Sequence, residues 1–237
     1  MGKLKFEELI LFENDNYIVI NKPAFVASLD DRNDEINILG LAKRYNPQAQ
    51  LCHRLDKETS GALAIAKKPE AYRALSLQFE KREVIKEYHA VVEGIHNFNN
   101  LTIDAPIFMS GKGTVRIDNQ RGKMSSTTVN TLKAFRVHTL LACFPHSGRM
   151  HQIRIHLAYR KAPIIGDLIY GGRQFYLSSI KKHYHLKKGT EEWPLIKRIA
   201  LHARQLEFKD LTGKGLKIDA DYPKDFSVLL KQLEKNR

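Results

Sequence analysis

Asp56 stands between two cations in the stretch His53-Arg54-Leu55-Asp56-Lys57-Glu58-Thr59-Ser60-Gly61. Neighbouring positive charge favours the ionised form of a carboxyl group, so Asp56 is expected to be an anion at neutral pH. An ionised carboxylate serves as nucleophile, base or electrostatic stabiliser. Two further stretches hold groups capable of chemistry. Lys86-Glu87-Tyr88 sets an amine beside a phenol, and Pro145 to Leu157 gathers Arg149, Arg154 and histidines 146, 151 and 156. Each has a plainer reading. The first stretch is built of ordinary turn residues, and a tyrosine among apolar neighbours is commonly a core residue with its hydroxyl tied off. The histidines recur every five residues rather than at the i, i+4 spacing that puts two ligands on one helical face, and no H-E-x-x-H is present, so no metal is expected. The glycine pairs at Gly111 and Gly113 and around Gly122 lack the spacing of a phosphate loop, which argues against nucleotide hydrolysis.

These groups need a scaffold. Leu9 to Phe12 and Tyr17 to Ile20 are apolar runs around a polar turn, which predicts a hairpin ending at Asn21-Lys22-Pro23. Ile36 to Tyr45 is expected as a helix stopped before Pro47. Gly61 to Ala66 reads as a buried strand, so the nonapeptide is a loop entering a sheet. Pro69 to Arg82 has proline in its first turn and Tyr72, Leu75 and Phe79 at helical spacing. Val84 to Glu93 alternates as a strand that puts Lys86 and Tyr88 on one face. Short strands are expected over Leu101 to Ile107, Thr114 to Asp118 and Ser126 to Val137. Gly148-Arg149 turns into a helix carrying Arg154, Ile199 to Phe208 returns to the sheet, and Asp225 to Lys235 closes as an amphipathic helix. Many short strands, few helices and no regular βαβ alternation predict an α+β domain with a largely antiparallel sheet.

The totals narrow the partner. The chain has 237 residues, enough for one sizeable domain, and no apolar run of membrane-spanning length or signal-peptide character, so a cytoplasmic protein is expected. Two cysteines, Cys52 and Cys143, provide neither a disulfide framework nor a zinc site. An excess of 39 Lys and Arg over 26 Asp and Glu, net +13, suits a polyanion, and nucleic acid is the first candidate. Basic pairs such as Lys67-Lys68, Lys81-Arg82, Lys181-Lys182 and Lys187-Lys188 cluster that charge. Gly111 to Lys123 is basic and glycine-containing, either a solvated hairpin tip or a phosphate contact. Gly172 to Lys188 interleaves cations with aromatics, which suits unpaired RNA and equally a half-buried loop.

The nonapeptide resembles the signature H-R-L-D-x-x-T-S-G of the RluA-type RNA pseudouridine synthases at every specified position. Lys86-Glu87-Tyr88 is similar to that family's K-x-Y, and Gly148 to His156 to its G-R-x-H-Q-I-R-x-H, with Ser147 where threonine is usual. Pro163 to Gly171 matches P-x-x-G-D-x-x-Y-G, and Asn21-Lys22-Pro23 and Leu201-His202-Ala203 are also similar. The resemblance covers nearly the whole chain. It implies the pseudouridine synthase fold, a mixed sheet with flanking helices and a central cleft, and isomerisation of uridine to pseudouridine in RNA without metal or cofactor. By the same resemblance Asp56, Tyr88 and Arg154 are catalytic, with Arg154 ion-paired to Asp56 and the Tyr88 ring against the target base. Arg54 would fill the gap left by the extruded base, or else contact a phosphate. His53, Lys86, Arg149 and His151 would bind substrate or support it. The expected partner is structured RNA, a ribosomal or transfer RNA stem-loop, rather than DNA or a membrane. One catalytic domain spanning 1–237 is expected, acting as a monomer, without the separate RNA-binding domain that many members carry ahead of the hairpin. The competing classes are a non-catalytic RNA chaperone or assembly factor, in which Asp56 is dispensable, and a base-excising glycosylase, which would release free base.

Overall fold

The computed structural model describes residues 4–30, 36–111, 113–186 and 189–237, so Lys112 and the Lys187-Lys188 pair lie outside the described residues. In chain order its elements are β1 (Ile10–Glu13), β2 (Tyr17–Lys22), α1 (Ile38–Tyr45), β3 (Gln50–Leu51), β4 (Ser60–Ala66), α2 (Pro69–Glu80), β5 (Ile85–Glu93), β6 (Leu101–Asp104) and β7 (Ile107–Met109). They continue with β8 (Val115–Ile117), β9 (Ser126–Ala134), β10 (His138–Pro145), α3 (Gln152–Tyr159), β11 (Leu201–Lys209), β12 (Gly215–Asp219) and α4 (Lys224–Lys235). The strand pairings are mostly antiparallel with a parallel β4–β11 pair, and four α-helices accompany them, which is the α+β class. Two compact units are distinguished, Met1–Tyr88 with His202–Asp221, and His89–Leu201 with Tyr222–Arg237.

In the first unit the strand order is β1-β2-β4-β11, with β3 on β4 and β12 on β11. The β1–β2 hairpin turns at Asn14, whose side chain takes the amides of Asn16 and Tyr17. Strand β4 is central and buried along its whole length, so both of its faces are apolar. One face packs with Tyr17, Val19, Leu75, Leu206 and Phe208, the other with Ile18, Ile20, Ile38 and Leu41. Helix α1 is capped by Asn37, whose side chain accepts the Gly40 amide at 2.7 Å, and α2 opens on Pro69.

In the second unit β10 pairs β9, and β9 pairs β6, while β7 and β8 form a separate ribbon. The reading of Leu101 to Ile107 as one strand is corrected by Pro106, which has no amide to give a ladder and separates β6 from β7. Helix α4 buries Phe226, Leu229 and Leu233, and its Asp225 takes a bidentate pair from the fully buried Arg198.

Candidate active site

Asp56 lies in a turn that its own unit holds from several sides. The Thr59 amide donates to the Asp56 carbonyl at 3.0 Å, closing a turn over Lys57 and Glu58. Ser28 grips the preceding residue twice: its hydroxyl donates to the Leu55 carbonyl at 2.8 Å and accepts the Leu55 amide at 3.1 Å. Leu55 itself is buried in the core. On the far side the Lys57 carbonyl accepts the Phe25 amide at 2.8 Å and the Lys22 ammonium at 3.2 Å. Lys22 is fully buried, and its Nζ also donates to the carbonyls of Pro23 and Val26 at 2.9 and 2.8 Å. A buried ammonium is tolerated only when such acceptors surround it. The turn then runs into β4. Ser60 Oγ pairs with Nδ1 of His202 at 2.9 Å, and His202 Nε2 donates to the Ala220 carbonyl at 3.0 Å, so the ring ties the start of β4 to the end of β12. Gly61 has φ +118°, and a Cβ there would sit 2.2 Å from the Ala203 carbonyl oxygen, so the β4–β11 approach requires glycine.

Around that turn the electrostatics are specific. Burial raises the Tyr88 phenol well above its ordinary range, and the Asp56 charge raises it further, so the two groups share one neighbourhood. Tyr88 is therefore a protonated phenol at neutral pH. Burial pulls Lys86 down to about 8, with Arg82 adding repulsion. His53 is held at about 3 by burial and then by Lys86. Its Nε2 accepts the Ala64 amide at 3.0 Å and its ring packs at 4.7 Å on Phe79, so neutral His53 ties the start of the motif to β4 and α2. Arg54 is exposed, and Cys52 is pushed up to about 12 by burial, which keeps it an unreactive thiol.

The second unit carries Arg149, His151 and Arg154. Arg154 is buried on α3, where its Nε and Nη2 make a bidentate pair with Asp167 at 2.7 and 2.9 Å. The guanidinium also lies 5.1 Å from the Tyr170 ring centre, and the Tyr170 hydroxyl pairs with His151 Nδ1 at 2.9 Å. Asp167 is set by a tight turn in which the Gly172 amide donates to its carbonyl at 2.8 Å; a Cβ on Gly172 would fall 1.9 Å from the Ile164 carbonyl oxygen. Gln152 holds the entrance to α3: its Oε1 accepts from Ser147 Oγ and the Arg149 amide, and its Nε2 donates to the Ser126 carbonyl. His156 Nε2 donates to the Ala105 carbonyl, leaving Nδ1 to accept from Thr127. His146 pairs with Thr128, so the three histidines point to three different partners. The Arg149 side chain is exposed.

The sequence profile described as RNA pseudouridylate synthase matches residues 16–159. The chain belongs to the RluA-type RNA pseudouridine synthases. It is 34% identical over 234 residues to a ribosomal large subunit pseudouridine synthase C of Salmonella typhi, covering 95% of this chain and 70% of the relative. It is 34% identical to a synthase D of Pseudomonas aeruginosa, covering 96% and 72%. The structure of human RNA pseudouridylate synthase domain containing 4 superposes with TM-score 0.71 at 24% identity, covering 97% of this chain and 95% of that one, a likeness of fold. A synthase of this family is an isomerase acting on RNA and forms pseudouridine there.

Several residues that hold these stretches in place within their own units are not marked out by the sequence. Ser28 and Asp167 have no outward signal as isolated residues, although Asp167 sits inside the matched G-D-x-x-Y-G string. Lys22, a residue type that is rarely buried, is a buried brace at the last position of β2, before a proline.

Proposed function

We propose that Asp56 is the catalytic carboxylate and that the substrate is RNA of the large ribosomal subunit, in the cytoplasm. The curated relatives named above are ribosomal large subunit synthases, which favours that RNA over transfer RNA. The observation that carries the assignment of Asp56 is the turn fastened by Ser28 and Lys22, with a phenol whose ionisation the same carboxylate opposes.

The reaction breaks the bond from N1 of uracil to C1′ of ribose, turns the base, and joins C5 to C1′; the C5 proton leaves and N1 gains one. Asp56 acts by adding to C1′, by adding to the base, or by taking a ribose proton, and all three need an anion in a fixed place. Tyr88 supplies a ring face for the loosened uracil. Because its phenol is protonated, it enters proton transfer as a donor or relay rather than as a ready-made base. The exposed guanidinium of Arg54 takes the space vacated when the uridine leaves its stack. His53 and Lys86 brace this arrangement from below. The role of Arg154 toward Asp56 rests on the motif resemblance alone.

The test is Asp56→Asn, assayed on transcripts of large-subunit ribosomal RNA and on transfer RNA with a chemical tag selective for pseudouridine. Expected is a loss of roughly 10⁴-fold or more in turnover with RNA binding retained. Turnover near the parent's, or modification confined to transfer RNA, overturns the corresponding half of the proposal. Tyr88→Phe keeps the ring and removes the relay, and is expected to slow turnover about 10²-fold.

A further inference from the structure

The second unit carries a groove of about 330 Å³, lined by none of the residues assigned above, between residues 174–176 and 191–197. Its walls are fastened to each other. The Leu195 amide donates to the Phe175 carbonyl at 2.8 Å, Phe175 and Ile196 form a β-bridge, and the Ser178 amide donates to Glu192 Oε1 at 2.8 Å. Into this groove projects Trp193, the one tryptophan of the chain, with 66% of its surface exposed. Lys197 Nζ lies 4.2 Å from the centre of its ring. Tyr176 also lines the groove, its hydroxyl donating to Gln174 Oε1 at 2.7 Å.

We propose that this groove binds an unpaired nucleotide of the substrate RNA, with the base stacked on Trp193 and its phosphate paired with Lys197. A single exposed apolar residue needs no explanation. Here, however, the exposed indole lines a groove with a cation on one face, and Gln174, Glu191 and Glu192 line the same groove. An apolar protein partner would find little to bury against Gln174, Glu192 and Lys197. A flat heterocycle with polar edges matches all three. The carboxylates of Glu191 and Glu192 also line the groove, Glu192 Oε1 already accepting the Ser178 amide; a carboxylate only accepts hydrogen bonds, so these two meet amino or imino groups on a base edge and repel phosphate, which leaves the phosphate to the Lys197 end. Base stacking on an aromatic beside a cation is the mode by which single-stranded RNA is held without sequence readout. The net charge of +13 supplies the long-range attraction. The proposal rests on RNA being the substrate and is independent of which uridine is modified.

Because Trp193 is the only indole, its fluorescence reports this groove alone. The full chain is titrated with single-stranded oligouridylate of about ten nucleotides, within the span such surfaces cover, and with a blunt RNA duplex. Filter binding and turnover on large-subunit ribosomal RNA are scored in parallel. Expected is saturable quenching by the single strand and little by the duplex. Trp193→Ala should weaken single-strand binding on the order of ten-fold and raise the RNA concentration needed for half-maximal turnover in step, and Trp193→Phe should recover part of the loss. Lys197→Met should lower the salt dependence of binding by about one phosphate contact. Oligouridylate that binds without touching the fluorescence, or a Trp193→Ala protein with the parent's affinity, overturns the proposal. So does fluorescence that answers only to protein concentration, since the face would then meet a second copy. Wild-type turnover on the ribosomal transcript separates these outcomes from a failure of the substrate assignment.

Discussion

Replacing Gly61 by alanine tests whether the Asp56 turn depends on the close approach of β4 and β11. Three backbone atoms of Ala203 lie within 2.7 Å of the added Cβ, the carbonyl oxygen at 2.2 Å. Strand β11 must therefore retreat by about 1 Å, since real carbon–oxygen contacts begin beyond about 3 Å. Retreat strains the parallel pairing of His202 with Ser60 and Ala203 with Gly61, together with the bond from Ser60 to His202. Each lost hydrogen bond is worth about 1 kcal/mol net, and φ +118° on a residue with a side chain adds about 1–3 kcal/mol. The sum, about 3–6 kcal/mol, is a large part of the 5–15 kcal/mol typical of a folded domain. Urea unfolding followed by circular dichroism measures it, with turnover on RNA as the functional readout. The clash is with backbone, so adding Ala203→Gly should not rescue the variant. A Gly61→Ala protein within about 1 kcal/mol of the parent, or rescue by Ala203→Gly, would refute the reasoning.

Other outcomes follow from the same networks. Lys22→Met leaves the carbonyls of Pro23, Val26 and Lys57 short of a buried donor; urea unfolding should show a loss of about 2–5 kcal/mol, and turnover should fall more than RNA affinity. Asp167→Asn removes the charge from one side of the buried bidentate pair with Arg154, for an expected loss of about 3–5 kcal/mol in the same assay. His53 is near 3 when folded against 6.5 when free, so the unfolded chain binds the extra proton; stability is intact above about pH 6.5 and falls as pH drops through 6.5 toward 3. At pH 5 that amounts to at most about 2 kcal/mol, and His53→Gln, which retains an acceptor for the Ala64 amide, should show a shallower acid slope. Equal slopes would count against a neutral, buried His53.

Much of this architecture was legible in the residues. Proline at the head of α2, the alternation of β5, and the i, i+3, i+4, i+7 apolar positions of α4 each declare their element. Strand β10 was not read, because only Phe135-Arg136-Val137 separates it from β9 and none of these is a turn residue by type. Strand β12 was missed although Asp210 signals its hairpin by accepting the amides of Thr212 and Lys214. The sequence motifs point to Asp56, Tyr88 and Arg154 as residues, but not to what fixes each of them. Ser28 reaches Leu55 across 27 residues, and local periodicity carries no trace of such a contact.

A carboxylate turn already anchored through Ser28, Phe25 and Lys22 has little freedom left to lose when RNA arrives. Ordering entropy, which a floppy loop would charge against every encounter, is settled during folding. Under the proposed mechanism, contact energy gained along the RNA then remains available for prising one uridine away from its stacked neighbours.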